Sequence, residues 1–348
     1  MGLWYSVGRG AARAIMRQGA VIGLIGLFSI AMGNTAARAE AIKIGSLTVA
    51  NVAPIYIARE KGYFAGEGLE VEFVSFDAGQ PIAVAVASGA IDFGVTSTSA
   101  GFYSLAGQGP LRIISGLYSE APGFHNFAIV ASVHAEASGL KTYKDLANHS
   151  VATTQIGSPV HYSLALLAEK YGIDLKTIRM LPLQGIPNML TAIIGNQADA
   201  AIITGTAVNP ALQAGQAKLL GWVGDETPWQ AAVTFTTTKT INDRDKTVQA
   251  FLRAFRKGTK DYHDAFTGPG ETRADGPTAP EILAIIGKYT KQTPEQVNLS
   301  IAHIDAAARL DVADIRHQVE WFKSQKMLKD EIDANSVIDM RYVIALPH

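Results

Sequence analysis

The feature that most constrains the fold is an alternation of short apolar segments with helical segments, and this alternation occurs twice. In the first series the predicted strands are 41–47, 69–76, 91–95 and 111–117, and the helices between them are 54–60, 81–88 and 98–106. In the second series the strands are 150–153, 178–181, 200–203 and 219–223, and the helices are 158–171, 187–194 and 207–214. Short strand–helix–strand connections require parallel strands with helices on both faces. The sequence therefore predicts an α/β fold with two mainly parallel sheets.

The repetition predicts two lobes with a ligand cleft between them. We assign residues 40–128 and 224–348 to lobe I and residues 129–223 to lobe II. From residue 240 onward the pattern is helical, because Val248, Phe251 and Phe255 recur at helical spacing. These C-terminal helices are assigned to lobe I.

The first 39 residues have the composition of a secretory signal peptide. Three arginines precede an apolar run at 20–32, and Ala37-Arg38-Ala39 matches a small-residue cleavage site. The apolar run is too short to cross a hydrocarbon core of about 30 Å as a helix. We therefore expect cleavage after Ala39, with a mature chain that begins at Glu40 and resides in a periplasm.

Composition excludes several classes of protein. The 30 basic residues balance the 31 acidic ones, which argues against nucleic-acid binding. The chain has no cysteine, so it has no disulfide, no thiolate metal site and no site for lipid attachment. The sequence has no nucleophile elbow, zinc-protease helix or P-loop motif. We predict no catalytic residue, no metal site and no cofactor.

Polar loops follow the predicted strands, where ligands bind in open α/β sheets. Glycine lets a ligand approach the backbone, and free N–H groups at helix starts attract anions. The predicted ligand-binding residues, including three aromatic or histidine side chains nearby, are Leu47, Asn51, Gly79, Gln80, Thr96, Ser97, Tyr118, His125, Gly157, Ser158, His161, Thr204 and Thr206. Each hydroxyl has an alternative role as a helix N-cap. None of these loops contains arginine or lysine, so both an anion held by N–H groups and a neutral polar ligand are compatible with them.

Several segments together resemble one group of proteins. They are A-P-I-Y-I-A-R-E-K-G-Y-F at 53–64, A-S-G-A-I-D-F-G at 87–94, G-L-K-T-Y-K-D-L at 139–146, Gly157-Ser158, and G-N-Q-A-D-A at 195–200. Over about residues 42–260 the chain is similar to the binding proteins of ABC importers for alkanesulfonates, taurine, nitrate and pyrimidine precursors of thiamine.

This resemblance implies a periplasmic-binding-protein fold of type II that closes on its ligand by hinge motion. It implies ligand contacts from the loops at Asn51, Gln80, Ser97, Ser158 and Thr204. The implied partners are a small-molecule ligand and an ABC importer, with its permease and ATPase. Membrane contact would occur only through the permease, and the protein would be a monomer. The chain departs from the group because its loops lack arginine and tryptophan. It also lacks the cysteine-rich motif of a related pyrimidine-synthesising branch.

We therefore expect a binding protein rather than an enzyme, with a small organic anion as its ligand. A sulfonate or a carboxylate, aliphatic or aromatic, is the expected class. The alternatives are a neutral pyrimidine ligand and a sensory module that presents its ligand-bound form to a membrane receptor.

Overall fold

The computed structural model describes residues 39–347 and contains two five-stranded sheets and one two-stranded sheet. The predicted signal peptide lies outside the described residues, except for Ala39. The strands are β1 Glu40–Ser46, β2 Leu69–Ser75, β3 Phe93–Ser97, β4 Leu111–Gly116, β5 Ser119–Glu120, β6 Phe127–Ser132, β7 Ser150–Thr153, β8 Arg179–Pro182, β9 Ala200–Thr204, β10 Ala217–Trp222, β11 Trp229–Gln230 and β12 Ala232–Thr237.

Fourteen α-helices lie among the described residues, and most of them follow a strand. They are α1 Ala53–Glu60, α2 Tyr63–Gly66, α3 Gly79–Ala87, α4 Ala100–Gly107, α5 Val133–Ala137, α6 Pro159–Tyr171, α7 Ile186–Ile194, α8 Gly205–Gln213, α9 Val223–Glu226, α10 Thr238–Asp243, α11 Asp245–Phe266, α12 Ala279–Thr290, α13 Pro294–Asn298 and α14 Val312–Ser324. Short 3₁₀ helices occur at Ala50–Val52, Tyr143–Asp145, Leu175–Thr177, Pro269–Glu271 and Ala334–Val337.

The strand orders confirm an α/β fold with two mainly parallel sheets flanked by helices. The first sheet has the order β2-β1-β3-β12-β4, and the second has the order β10-β6-β9-β7-β8. In the first sheet only β12 runs against its neighbours, and in the second only β6 does so. Between the two sheets the chain passes twice through a small antiparallel ladder, in which β5 pairs with β11.

Sequence analysis missed the two antiparallel strands. Both β6 and β12 are completely buried, and β12 is inserted between β3 and β4, more than a hundred residues earlier in the chain. A fully buried strand shows no alternation of apolar and polar residues, so period-2 patterning does not reveal it. The insertion itself depends on tertiary pairing and leaves no local signal.

The long helix α11 packs closely against α1 because it carries a glycine at the crossing. A β-carbon at Gly258 would lie 2.2 Å from the carbonyl oxygen of Pro54, much closer than any real contact. The apolar face of α11 is buried through Val248, Phe251 and Phe255, as the helical spacing predicted. None of the helices in the described part of the chain is both long and apolar enough to span a membrane.

Candidate ligand pocket

A small cavity lies where the carboxyl ends of strands from both large sheets meet the next helices. Its volume is about 70 Å³, which is room for roughly five water molecules. Nine of the predicted ligand residues line it, namely Leu47, Asn51, Gly79, Gln80, Thr96, Ser97, Tyr118, Ser158 and Thr204. The sequence argument therefore found the polar lining from both sheets, because parallel strands bring their carboxyl ends to one edge.

Two predicted residues, Gly157 and Thr206, lie beside the cavity and make hydrogen bonds between loops of the first sheet and loops of the second. The Gly157 carbonyl accepts a 2.8 Å hydrogen bond from the Ala100 N–H. Its φ of 76° and the position of Ala100, 2.8 Å from where its β-carbon would lie, explain why glycine occurs there. The Thr206 hydroxyl accepts a 3.3 Å hydrogen bond from the Ala50 N–H.

The two predicted histidines lie outside the cavity lining and pack against tryptophans. The His125 ring stacks on Trp222 at 4.6 Å, and the His161 ring meets Trp321 edge-on at 5.3 Å. Burial lowers the pKa of both imidazoles, which favours their neutral forms. Nδ1 of His161 accepts a hydrogen bond from the Gly157 N–H. The structure thus shows both histidines in packing contacts with tryptophans, and their part in ligand binding stays a prediction.

Sequence analysis missed the apolar part of the lining. The main apolar or aromatic residues there are Val49, Phe127, Val160, Ile186, Met189, Ile202 and Ile203. In the sequence these residues are indistinguishable from the core of ordinary strands and helices, because only the tertiary fold makes their faces meet a cavity. Gln155 and Thr154 also line it.

Polar side chains from the first sheet are held in place by one another. The hydroxyls of Ser97 and Tyr118 are 2.6 Å apart, and Ser99 Oγ donates to Gln80 Oε1 at 3.1 Å. Burial raises the pKa of Tyr118, so its hydroxyl keeps its proton. Gly79 allows close approach here, since a β-carbon at that position would lie 2.9 Å from the Thr96 hydroxyl.

The two hydroxyls from the second sheet have different surroundings. Ser158 Oγ lies 2.6 Å from Thr153 Oγ1 and caps α6 by accepting the His161 N–H. Thr204 Oγ1 is buried and has no hydrogen-bond partner among the described residues. A buried hydroxyl without a partner is costly, and Thr204 is the described lining residue that carries such a group.

Several helix N-termini face the cavity, and none of the described lining residues is charged. Lining residues stand at the starts of α3, α6, α7 and α8, and α3, α7 and α8 have no side-chain cap. Each helix start carries a partial positive charge that favours an anion by about 0.3–1 kcal/mol. The electrostatic character of the cavity is therefore weakly positive without a lysine or an arginine.

A chain of buried hydrogen bonds leads from the cavity to the β5–β11 ladder. Asn51 Nδ2 donates to Asn126 Oδ1 at 2.8 Å, and Asn126 Nδ2 donates to Glu120 Oε1. Glu120 is fully buried on β5, and its other carboxyl oxygen accepts from the Phe127 N–H at 3.4 Å. Burial raises the pKa of Glu120 to about 8, although the N–H donors around it oppose this shift.

The sequence profile of the NMT1/THI5-like family matches residues 49–266, well over half of the chain. The chain belongs to the NMT1/THI5-like family. This result confirms the resemblance to the binding proteins of ABC importers, since solved proteins of that kind also share its structure. A comparison with curated proteins gave no match.

Solved structures similar to this NMT1/THI5-like protein have the periplasmic-binding-protein fold. The alkanesulfonate-binding protein SsuA from Xanthomonas axonopodis pv. citri, bound to MOPS, is 17% identical with a TM-score of 0.68, and the match covers 86% of this chain and 98% of that chain. The periplasmic nitrate-binding protein NrtA from Synechocystis PCC 6803 is 15% identical with a TM-score of 0.63, covering 85% and 84%.

An enzyme shares the same fold. The desulfurization enzyme DSZB is 13% identical with a TM-score of 0.59, and the match covers 87% of this chain and 97% of that chain. Because one fold carries both binding proteins and an enzyme, the fold alone does not decide between these functions. The chemistry of the cavity has to decide it.

Proposed function

We propose that this NMT1/THI5-like protein is a periplasmic solute-binding protein that captures a small organic anion for an ABC importer. The observation that carries the proposal is the set of helix starts and hydroxyls around one partly open cavity, with Thr204, whose hydroxyl has no partner among the described residues, in its lining. We propose further that the predicted boundaries, 40–128 with 224–348 and 129–223, divide the lobes that close on this ligand.

The cavity favours a short ligand. A volume of about 70 Å³ suits a compact sulfonate or carboxylate with a few heavy atoms, whereas an aromatic ring would require the cleft to open further. Hydroxyl and N–H donors would bind the anionic head, and Phe127, Ile186 and Met189 would contact a short apolar tail. A neutral pyrimidine is the second candidate, because the Asn51 and Gln80 amides can pair with ring nitrogens.

An enzymatic role has little support from the cavity lining. The described residues that line it include no Asp, Glu, Lys or His, and burial raises the pKa of the one lining phenol, Tyr118, so that it keeps its proton. The proposal therefore assigns ligand capture without turnover, and transport rather than sensing is favoured by the importer-associated relatives.

The test uses a pair of threonines that differ in position but share one property. Thr204 Oγ1 and Thr234 Oγ1 are both buried without a partner among the described residues, but only Thr204 lines the cavity. We expect Thr204→Val to weaken binding of a short alkanesulfonate about tenfold, because it removes a hydrogen bond to a charged group. Thr234→Val on β12 is the matched control and should leave the affinity unchanged.

The measurement is isothermal titration of the mature chain, Glu40–His348, with methanesulfonate, ethanesulfonate, acetate, nitrate and a neutral pyrimidine. Binding of one anion class that is lost in Thr204→Val and kept in Thr234→Val supports the proposal. Binding of the pyrimidine alone would replace the anion with the neutral ligand. An unchanged affinity in Thr204→Val would place the ligand outside this cavity, and equal losses in both variants would mean that removing a buried hydroxyl perturbs the fold.

A further inference from the structure

We infer that Glu120 is a positioning residue for the ligand, because it determines through Asn126 which end of the Asn51 amide faces the cavity. This inference rests on the proposed capture of an anion and deepens it. Glu120 lies on the β5–β11 ladder, outside the cavity lining, and the two buried amides link it to Asn51. Its other carboxyl oxygen accepts from the N–H of Phe127, which also lines the cavity.

The direction of each hydrogen bond follows from the first group in the chain. A carboxylate only accepts, so it takes the NH₂ end of Asn126. The carbonyl end of Asn126 then accepts from the NH₂ end of Asn51, as the structure shows. Because the Asn51 nitrogen is engaged behind the cavity, its carbonyl oxygen is the end left for a ligand. In this state Asn51 disfavours an anion.

A proton on Glu120 reverses the whole chain. The protonated carboxyl donates to the carbonyl end of Asn126, whose NH₂ end then donates to the carbonyl of Asn51. The NH₂ end of Asn51 now faces the cavity and donates to an anion. The oxygen and nitrogen ends of an amide have nearly the same shape, so this reversal needs no repacking. The Phe127 N–H keeps an acceptor in both states, because one carboxyl oxygen always remains free to accept.

Few other titratable groups face Glu120. On α9, Asp225 faces it and opposes ionisation, while the Gly224 N–H favours it. Tyr118, two residues earlier in the chain, keeps its proton, and its hydroxyl can donate or accept and so fits either orientation of Asn51. The neutral side chains near Glu120 include Asn126 just before β6, Phe127 on β6, Trp229 on β11 and Asn51 in the Ala50–Val52 helix. Protonation of Glu120 is thus the change that can turn the Asn51 amide from a hydrogen-bond acceptor into a donor toward the cavity.

The experiment follows the amide and the affinity in the same samples of the mature chain. Side-chain NMR of ¹⁵N-asparagine and ¹³C-glutamate labels reports Asn51 and Glu120 between pH 6 and 9.5. We expect both resonances to titrate with one midpoint near pH 8. Over this range the affinity for methanesulfonate should fall about tenfold, whereas that for its neutral isostere methanesulfonamide should not fall.

Two variants separate positioning from a merely structural role. In Glu120→Gln the Phe127 N–H requires the carbonyl end of the glutamine, so the NH₂ end faces Asn126 and donates to it. Asn51 should then stay in its low-pH state, and methanesulfonate affinity should become independent of pH. In Asp225→Asn, which keeps Glu120, both midpoints should move together to lower pH because a negative neighbour is removed.

The outcomes are distinct. An Asn51 resonance that does not move while Glu120 titrates overturns the inference, as does a Glu120→Gln variant with the pH dependence of the wild type. If methanesulfonate binds neither the wild type nor the variants, the anion proposal fails, but the NMR titration still decides whether Glu120 orients Asn51.

Discussion

At the scale of single residues, two cavity hydroxyls show why burial alone does not identify a ligand contact. Ser158 and Thr204 are both buried at helix starts, but Ser158 already bonds to Thr153 and caps α6. Replacing it with alanine removes a cap worth about 1 kcal/mol, so a loss of affinity would be mixed with a loss of stability. The Thr204 hydroxyl makes no hydrogen bond and caps no helix among the described residues, so its replacement tests binding without removing a cap.

Glu120 also makes stability depend on pH. Its pKa of about 8 in the folded protein exceeds the value of 4.5 expected when unfolded, so folding takes up a proton between these values. The contribution of Glu120 to the free energy of unfolding should therefore be fully present below about pH 4.5 and be lost as the pH rises to about 8, by up to about 3–5 kcal/mol.

Urea unfolding of the wild type and Glu120→Gln at pH 5.5 and pH 8.5 checks this expectation. The wild type should lose more stability than the variant between the two pH values, since glutamine cannot ionise. Equal losses of unfolding free energy in the two proteins would show that Glu120 has the same pKa in the folded protein as in the unfolded chain.

At the scale of elements, helix packing depends on a glycine that the sequence does not mark as special. Gly258→Ala should destabilise the protein by about 2 kcal/mol or more, because a β-carbon would meet the Pro54 carbonyl oxygen and force α11 away from α1. The control is Gly66→Ala in α2, where no atom lies within 4 Å of the added carbon. That change should be neutral or slightly stabilising, because alanine restricts the unfolded chain.

Thermal and urea unfolding of both variants gives the comparison. A Gly258→Ala protein as stable as Gly66→Ala would mean that the α1–α11 crossing adjusts without cost. A larger loss for Gly66→Ala would contradict the assignment of close packing to Gly258.

The helices and strands also show which parts of the fold the sequence pattern predicts. The predicted helix 158–171 and strand 150–153 match α6 and β7 closely, because proline, glycine and a serine cap mark their ends. The antiparallel strands β6 and β12 were not found, since each is buried on both faces and pairs with strands distant in sequence. Local chemistry marks where elements begin and end, and tertiary pairing alone decides the insertion of β12.

In the candidate site, too, some residues were predictable from local sequence and others were not. Asn51, Gln80, Ser97 and Thr204 were predictable because polar loops at the carboxyl ends of parallel strands share one edge. The apolar wall and Glu120 were not predictable, since a lone glutamate in a short strand and an isoleucine at a helix start have many ordinary roles. The roles of the apolar wall and of Glu120 depend on the distances between segments that are far apart in sequence, and a single sequence does not contain those distances.

At the scale of the whole molecule, the cavity is closed by hydrogen bonds that join loops of the first sheet to loops of the second. Ala100 N–H donates to the Gly157 carbonyl at 2.8 Å, and Ile186 N–H donates to the Asp77 carbonyl at 3.3 Å. The Ala50 N–H donates to the Thr206 hydroxyl at 3.3 Å. Each bond contributes about 0.5–1.5 kcal/mol, and under the hinge motion that the family resemblance implies they would favour the closed form without fixing it.

Thr206→Val should therefore weaken binding although Thr206 does not line the cavity. The variant loses the bond to Ala50 in the closed form only, so the closed fraction falls and the apparent affinity for the alkanesulfonate drops about three- to tenfold. Titration calorimetry measures the affinity, and small-angle scattering of the free and ligand-bound protein should show a larger compaction on binding than in the wild type. The control is again Thr234→Val, which removes a buried hydroxyl far from any closing contact and should change neither quantity. Unchanged affinity in Thr206→Val would mean that closure is complete before the ligand arrives, and the contribution of these loop contacts to binding would then be confined to shaping the cavity.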